Sequence, residues 1–455
     1  MQQQCNKCDS VLEDQISGLP IEVLACILSR LCLKEAVRTS ILSAQWRHVW
    51  TLITRLNFNK MKAFQVIKCY PELHKAGRQS FVKWVNHVLE LHEAGTLEEF
   101  KVSFSLDRRF NVDIHDWIRF ALLRKVQRLQ LELSLDWADN KDCTFPFGLF
   151  SQSEDTCLSS RFGIRTNGIL AGIQFLKEVC LTHLDVGDEV VEFLLSNCPD
   201  LERLSVHHSF SLVSLNVGGA HSSLKYLEIG NCKNIKSIAI SDANLVSFSY
   251  IGRHTNLFIK NVPSLVNLCI GGDILKSYFG LSMEDFFAQL SCCLKTLTVQ
   301  IYDSWLCPKA SLLTKLTTLE RLTLKIIAWD DEMIGHFAWL IYMCPRLLKF
   351  EFQVTWSGSL SVSNREVMRR AKPPHRFLKE VKLGGYFGRK SDLELALFFF
   401  QNAVALEKMV IDPRSQDWDR YDTDKYDTKR QRIGRSRAKQ QLEAIAPAGV
   451  NLVIL

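Results

Sequence analysis

Cys5 and Cys8 stand at Cys-x-x-Cys spacing, which supplies half of a tetrahedral zinc site. A structural site needs a second pair of ligands at workable distance, and the N-terminal region offers none. His207 and His208 are neighbours in a strand-like run, so their side chains face opposite ways and do not share an ion. No metal and no cofactor is therefore expected. There is no Gly-x-Ser-x-Gly, no Gly-rich loop ending in Lys-Ser/Thr, no His-Glu-x-x-His and no Gly-x-Gly-x-x-Gly. The glycine pairs beginning at Gly218, Gly271 and Gly384 follow strand-like runs without a third glycine, and read as strand-end turns. No catalytic residue is expected.

The chemistry that remains is noncovalent recognition. Polar side chains recur at alternate positions of short extended runs, where alternation puts them on one face. The candidate target-binding set is Arg203, His207, Tyr226, Glu228, Asn267, Gln300, Arg321, Lys325, Lys349 and Glu351. Small hydroxyl residues (Ser247, Ser249, Thr296, Thr298) fill the middle, and long charged chains come late. An ordinary solvated sheet face has a similar composition.

The elements that must position these residues follow one pattern, apolar-x-x-apolar-x-apolar. It occurs as "LERLSV" from Leu201, "LKYLEI" from Leu224, "LVSFSY" from Leu245, "LVNLCI" from Leu265, "LERLTL" from Leu319 and "LKEVKL" from Leu378, among others. Recurrence at 20–30 residues is the mark of a leucine-rich repeat solenoid. Between Leu201 and Leu265 the pattern recurs about every eleven residues, too often for one strand and a return. Taking alternate matches restores steps of 20–23, so those from Leu201, Leu224, Leu245 and Leu265 are expected to line the concave face. The skipped matches, "LVSLNV", "IKSIAI" and "LFIKNV", would then be extended segments on the convex side. Longer repeats have room for helices at 282–290, 331–344 and 392–403. The gap near residue 150 implies one degenerate repeat. The fold class is α/β.

Before the repeats, "LPIEVLACILSRLCLKEAVRTSILSAQWRHVW" (19–50) spaces Ile21, Leu24, Ile27, Leu28 and Leu31 for one helical face. Pro20 suits the first helical position, and Glu22 opposes the helix dipole. A second helix is expected over Lys34–Leu42, and a third, capped by Ser43, carrying Trp46, Val49 and Trp50. Three such short helices make a marginal core. They dock either on the rest of this chain or under another protein's helix.

This segment resembles an F-box, in Asp14, Ile16, Ser17, Leu19, Pro20, Glu22–Leu24, Ile27–Ser29, Leu31, Lys34–Ser40, Leu42, Ser43, Trp46, Arg47 and Trp50. It departs at Ile21, where an acid is common, at Cys32-Leu33 in place of Pro-Thr, and at Ala44-Gln45 in place of a basic pair. "NCPDLERLSV" (197–206), "CPRLLKFEF" (344–352), "HRFLKEVKLGGYFGRKSDLELALFFFQNAVALEKMVIDP" (375–413) and "RAKQQLEAIAPAGVNLVIL" (437–455) resemble plant F-box/leucine-rich repeat proteins ending in an FBD segment. The resemblance implies docking on a Skp-type adaptor through Leu19, Pro20, Val23, Leu24, Ile27, Leu28, Leu31, Val37, Leu42, Trp46 and Trp50. It implies a non-catalytic receptor subunit of an SCF-type ubiquitin ligase, linked through the adaptor to a cullin-RING complex, with a target protein on the repeats. The expected divisions are an F-box at 12–58, a helical linker at 59–95, repeats at 96–370 and an FBD segment at 371–455 with a charged tail at 414–439. The rival reading is a leucine-rich repeat interaction protein outside the ligase, its helices serving as an N-terminal cap.

Composition fits either. Of 455 residues, 47% are hydrophobic and 23% charged, as in globular proteins. The net charge of +7 is mild, and argues against nucleic acid as the main ligand. Part of it lies in "KRQRIGRSRAK", either a nuclear or phosphate-binding patch or a solvated helix face. The 15 cysteines are odd in number and often sit in apolar runs, as free thiols do in a reducing compartment. No signal-like N-terminus and no apolar run near the ~18 residues of a membrane span is present. The expected location is nucleus, cytoplasm or both.

Overall fold

The computed structural model describes residues 16, 18–59, 71–133, 143–149, 169–219, 223–273, 290, 293–302, 316–328, 341, 344–356, 374–414 and 427–455. The chain forms two compact units, Met1–Val179 and Cys180–Leu455.

In the first unit, helix α1 (Ile21–Leu28) follows Pro20, which lies in extended conformation one residue before the helix rather than inside it. Ser29 ends it, its hydroxyl bonding back to Ala25 O at 2.8 Å. Helix α2 (Leu33–Arg38) stops short of the expected Leu42. The hydroxyls of Thr39 and Ser40 donate to Ala36 O and Val37 O at 2.7 and 2.6 Å, and the chain tightens into a 3-10 turn over Thr39–Ile41. Helix α3 (Trp46–Val49) is entered through Gln45 in helical conformation, so the expected Ser43 cap is not made. The Ser43 hydroxyl is buried without a hydrogen-bond partner among the described residues.

A second 3-10 turn, Trp50–Leu52, leads into strand β1 (Arg55–Asn59). Parallel strands β2 (Glu99–Ser103) and β3 (Arg128–Glu132) continue in register, aligning Leu56–Phe100–Leu129 and Phe58–Val102–Leu131, all buried. The helices Pro71–Leu91 and Asn111–Leu123 cover this layer: Phe81 stacks on Phe104 at 4.0 Å, and Trp117 Nε1 donates to Asn86 Oδ1 at 2.7 Å. Short strand β4 (Cys143–Thr144) and helix Ile169–Ile173 follow, and the division after Val179 falls within strand β5 (Glu178–Thr182).

In the second unit β5 is followed by β6 (Leu184–Asp185) and helix Asp188–Asn197. Its main ladder is β7 (Arg203–His207), β9 (Tyr226–Gly230), β11 (Ser247–Gly252), β13 (Asn267–Gly272), β14 (Thr296–Ile301), β15 (Arg321–Ala328), β16 (Lys349–Trp356), β17 (Glu380–Gly384), β18 (Lys408–Asp412) and β19 (Asn451–Ile454), every neighbouring pair parallel. The intervening β8 (Ser214–Gly218), β10 (Ser237–Ser241) and β12 (Asn256–Lys260) form a separate parallel sheet. The alternate matches of the repeat pattern thus fall into two sheets. In the main ladder each strand from β7 to β18 begins two residues after the leading leucine of its repeat; Leu201, Leu224, Leu245, Leu265, Leu294, Leu319, Leu347, Leu378 and Leu406 are all buried beneath it. Helix Lys390–Asn402 matches the expected 392–403, while most of 282–290 and 331–344 and the region near 150 lie outside the described residues.

Strand ends are marked by left-handed residues: His208, Asn231, Asp242 and Asn261, and the second glycine of each pair, Gly219, Gly272 and Gly385. The expected turns are corrected to strand ends: Gly218, Gly271, Gly272 and Gly384 are still paired within β8, β13 and β17, and the second glycine of each pair takes a left-handed conformation that costs energy for most other side chains.

Candidate functional site

Two surfaces emerge from these elements. The first is helical. Leu24 and Leu28 of α1 are fully buried, as is most of Trp46, and Leu33, Ala36, Val49 and Ile53 are buried as well. Ser29 Oγ accepts the Thr54 N–H at 3.0 Å, and Thr51 and Thr54 carbonyls accept backbone N–H groups of Glu93 and Glu98, so this floor is joined to the entrance of β2. His92 completes the joint: its Nε2 lies 2.9 Å from Ile53 O, and burial pushes its pKa down to about 4. Above the floor the apolar residues stay open. Val23 is 43% exposed, Ile27 41% and Leu31 43%, and Ile41 and Leu42 reach 86% and 65%. Glu22, Val23, Cys26, Ile27 and Arg30 line a shallow depression on this roof.

The expected docking set is therefore divided. Pro20, Val23, Ile27, Leu31 and Leu42 are exposed, and Leu19, Val37 and Trp50 are half-buried. Leu24, Leu28 and Trp46 are corrected to core: periodicity marks a wide apolar stripe but does not say which edge faces inward. Ile21 and Ile41 join the exposed set, signalled in sequence by their place on the same apolar faces.

The second surface is the outward face of the main ladder. Register lines up three rows: Arg203, Tyr226, Ser247, Asn267, Thr296, Arg321, Lys349, Glu380; then Ser205, Glu228, Ser249, Cys269, Thr298, Thr323, Glu351, Lys382; then His207, Gly230, Ile251, Gly271, Gln300, Lys325, Gln353, Gly384. All ten candidate residues lie on this face. At β7–β9, Arg203 lies 4.2 Å over the Tyr226 ring and 3.2 Å from Glu228, with His207 3.9 Å from the same carboxylate. The His207 contact, with the Arg203 charge and the Ser205 hydroxyl, holds Glu228 below the ordinary carboxyl range despite burial. At β16–β17, Lys382 donates to Glu351 at 2.7 Å and Lys349 to Glu380 at 3.2 Å. Burial raises the Glu351 pKa, but the hydrogen bonds from Lys382 and Gln353 outweigh it and the carboxyl sits low. In the third row His207 and Gln300 lie across Gly230 and Gly271, where an added Cβ would overlap them.

Cys5 and Cys8 lie outside the described residues. Among the described residues no group of three or more His, Cys, Asp or Glu is gathered to hold a metal ion, and no helix is long and apolar enough to cross a membrane.

A family model described as the At1g61320/AtMIF1 leucine-rich repeat domain matches residues 88–446, and the F-box domain model matches residues 16–56. The chain belongs to the F-box/FBD/leucine-rich repeat family. It is 25% identical to the FBD-associated F-box protein At4g10400 of Arabidopsis thaliana over 88% of this chain and 92% of that protein. It is 24% identical to the F-box/FBD/LRR-repeat protein At4g26340 of the same plant over 89% and 94%. With the F-box/FBD/LRR-repeat protein At1g13570, also of Arabidopsis thaliana, it shares 29% identity over 56% of this chain, a stretch spanning 53% of that relative. Members of this family are F-box proteins, generally non-catalytic, and F-box domains as a class bind Skp-type adaptors. The matched F-box ends inside β1, so its last residues are also the first strand of the first unit's ladder.

The FBD end of this family member also gives its basic run a structural role. Helix Asp427–Leu442 lays Arg437 and Arg430 over the Phe387 ring at 4.8 and 5.5 Å; Arg437 donates to Phe387 O and Arg435 to Leu455 O at 3.3 and 2.7 Å. Gly434 packs against Tyr386 O, and Ala438 and Leu442 are buried. The run is a docked helix, with Lys429, Arg432 and Lys439 on its exposed side.

Proposed function

We infer that this chain is the substrate-recognition subunit of an SCF-type ubiquitin ligase. The helical roof docks a Skp-type adaptor and, through it, a cullin-RING complex; the outward strand face holds a target protein. The single observation behind this reading is the open apolar roof over a sealed floor: Val23, Ile27, Leu31, Ile41 and Leu42 stay exposed while Leu24 and Leu28 are buried. Leaving these apolar side chains in water is unfavourable, at roughly 25 cal/mol for each Å² a partner would cover. The chain's contribution to catalysis is proximity, because tethering raises the effective concentration of target lysines beside the activated ubiquitin. A cytoplasmic or nuclear location follows from this role.

The sealed floor also covers the entrance of the first unit's ladder, as a capping reading requires. The roof separates the two readings. Val23→Glu with Ile27→Glu abolishes co-purification of adaptor and cullin if the roof is a dock, and leaves the folded chain unchanged in either case. Adaptor recovery undiminished by this pair reduces the helices to a cap.

A further inference from the structure

Ion pairing on the outward strand face is uneven. Around β7–β9 the Arg203 guanidinium is neutralised by Glu228, with the His207 ring 3.9 Å from the same carboxylate. From β15 to β18 the face presents five cations, Arg321, Lys325, Lys349, Lys382 and Lys408, against three carboxylates, Glu351, Glu380 and the buried Asp412. All three carboxylates are taken, by Lys382, Lys349 and Arg414 respectively. Arg321, Lys325 and Lys408 are left with no ion-pair partner among the described residues.

Register makes this arrangement costly for the free chain. Arg321 is directly opposite Lys349 across β15–β16, a like-charge pair that destabilises a sheet. Lys349 turns to Glu380 on the far strand, leaving the Arg321 guanidinium alone. An anion seated there removes the repulsion. Beside this bank lies a low floor of short side chains, Thr296, Thr298 and Thr323, whose hydroxyls suit a peptide backbone. Arg321 and Lys325 are four residues apart on one strand, about 13 Å, which matches the repeat of two same-side carboxylates in an extended chain. Glu351 and Glu380 interrupt the cations, and the described outward positions of β14–β18 hold no aromatic ring. A continuous phosphate chain with bases to stack is poorly served by both features.

We propose that the outward face of β14–β18 receives an extended acidic segment of the target protein, its carboxylates on Arg321, Lys325 and Lys408. This rests on the reading that the strand face holds the target.

The test uses the full chain co-expressed with a Skp-type adaptor and an array of short random-sequence peptides. Bound peptides are expected to be rich in Asp and Glu, with acids recurring at four-residue spacing. Arg321→Gln with Lys325→Gln weakens them roughly tenfold, Arg321→Glu with Lys325→Glu shifts selection to Lys- and Arg-rich peptides, and Lys429→Glu with Arg432→Glu on the exposed side of the basic helix changes nothing. An inverted preference cannot come from misfolding; if the Glu pair does not fold, the Gln pair decides. The proposal is overturned if the wild type shows no acidic preference, if neither strand variant alters it, or if the helix variant alters it equally. It is also overturned if duplex DNA binds as tightly as the best acidic peptide and is lost in the same variants. Adaptor co-purification stays intact in every strand variant, so a failure here is distinct from a failure of the docking reading, which only the Val23/Ile27 pair tests.

Discussion

Arg78 and Asp107 meet at 2.9 Å inside the first unit, each 3% exposed. The guanidinium also donates to Ser105 O at 3.1 Å and lies 3.3 Å from Ser105 Oγ, and Asp107 takes further hydrogen bonds from Arg109. Removing one member of such a pair strands the other's charge in the interior. Arg78→Met should lower stability by about 3–5 kcal/mol in denaturant titrations, whereas Arg78→Met with Asp107→Leu should cost less than the two single losses together.

The same carboxylate sets an acid limit. Hydrogen bonding from Arg109, opposed by burial and aided by the Arg109 and Arg78 charges, holds Asp107 below its ordinary value. Its stabilising contribution is complete above the usual carboxyl range and is lost as pH falls through the depressed folded value. Asp107→Asn should reduce stability at pH 7 and flatten its decline below about pH 4.

His92 acts at milder acidity. Ile53 O accepts from Nε2, so the ring is neutral with its proton there, and Nδ1 is buried without a partner among the described residues. A pKa lowered to about 4 from an unfolded value near 6.5 means stability is full above pH 6.5 and falls as pH drops toward 4. The loss is on the order of 3 kcal/mol across that window. Thermal melts from pH 7.5 to 4.5 should show it, and His92→Gln should be less stable at pH 7.5 but less sensitive to pH over the same range.

Roof and floor of the helical segment respond differently to substitution. Leu28→Ala opens a cavity and should destabilise the chain by about 2–5 kcal/mol. Val23→Ala and Ile27→Ala should leave the melting midpoint nearly unchanged while weakening adaptor capture in a pull-down. Equal loss of stability from both sides would mean that the roof is core.

Gly385 carries φ +76°, and a Cβ there would run into the Val354 carbonyl. Gly385→Ala should cost more than the ~1 kcal/mol of the left-handed conformation alone. Gly95→Ala, which meets open space, should change stability by less than ~0.5 kcal/mol. Calorimetry of the two variants provides the comparison.

The main ladder was legible because alternation and leading leucines are local signals: the strands begin two residues after Leu201, Leu224 or Leu378 without exception. Strand β1 was not separated from the helices before it, although "ITRLNF" (53–58) obeys the pattern with Ile53 in the leading place. Strand β19 was obscured because Gly449 stands where the others have leucine. Helix ends were misjudged where a hydroxyl competes for a backbone carbonyl, as at Thr39 and Ser40. At the site, exposure was the illegible quantity: Leu24 and Val23 are neighbours of similar hydropathy, and only tertiary packing decides which is floor and which is roof. The pairing of Lys349 with Glu380, rather than with a residue on its own strand, is likewise set by register between repeats distant in sequence.

Unbroken register from β7 to β18 has a consequence for how such chains diverge. Because interior leucines and outward side chains strictly alternate, a change at Arg321, Thr323 or Lys325 edits the outer file without touching the packing beneath. Neighbouring files add their preferences side by side, like letters in a line of type. A lineage built on this plan can exchange one clientele for another by point changes alone, while the machinery that folds the chain stays under constant selection.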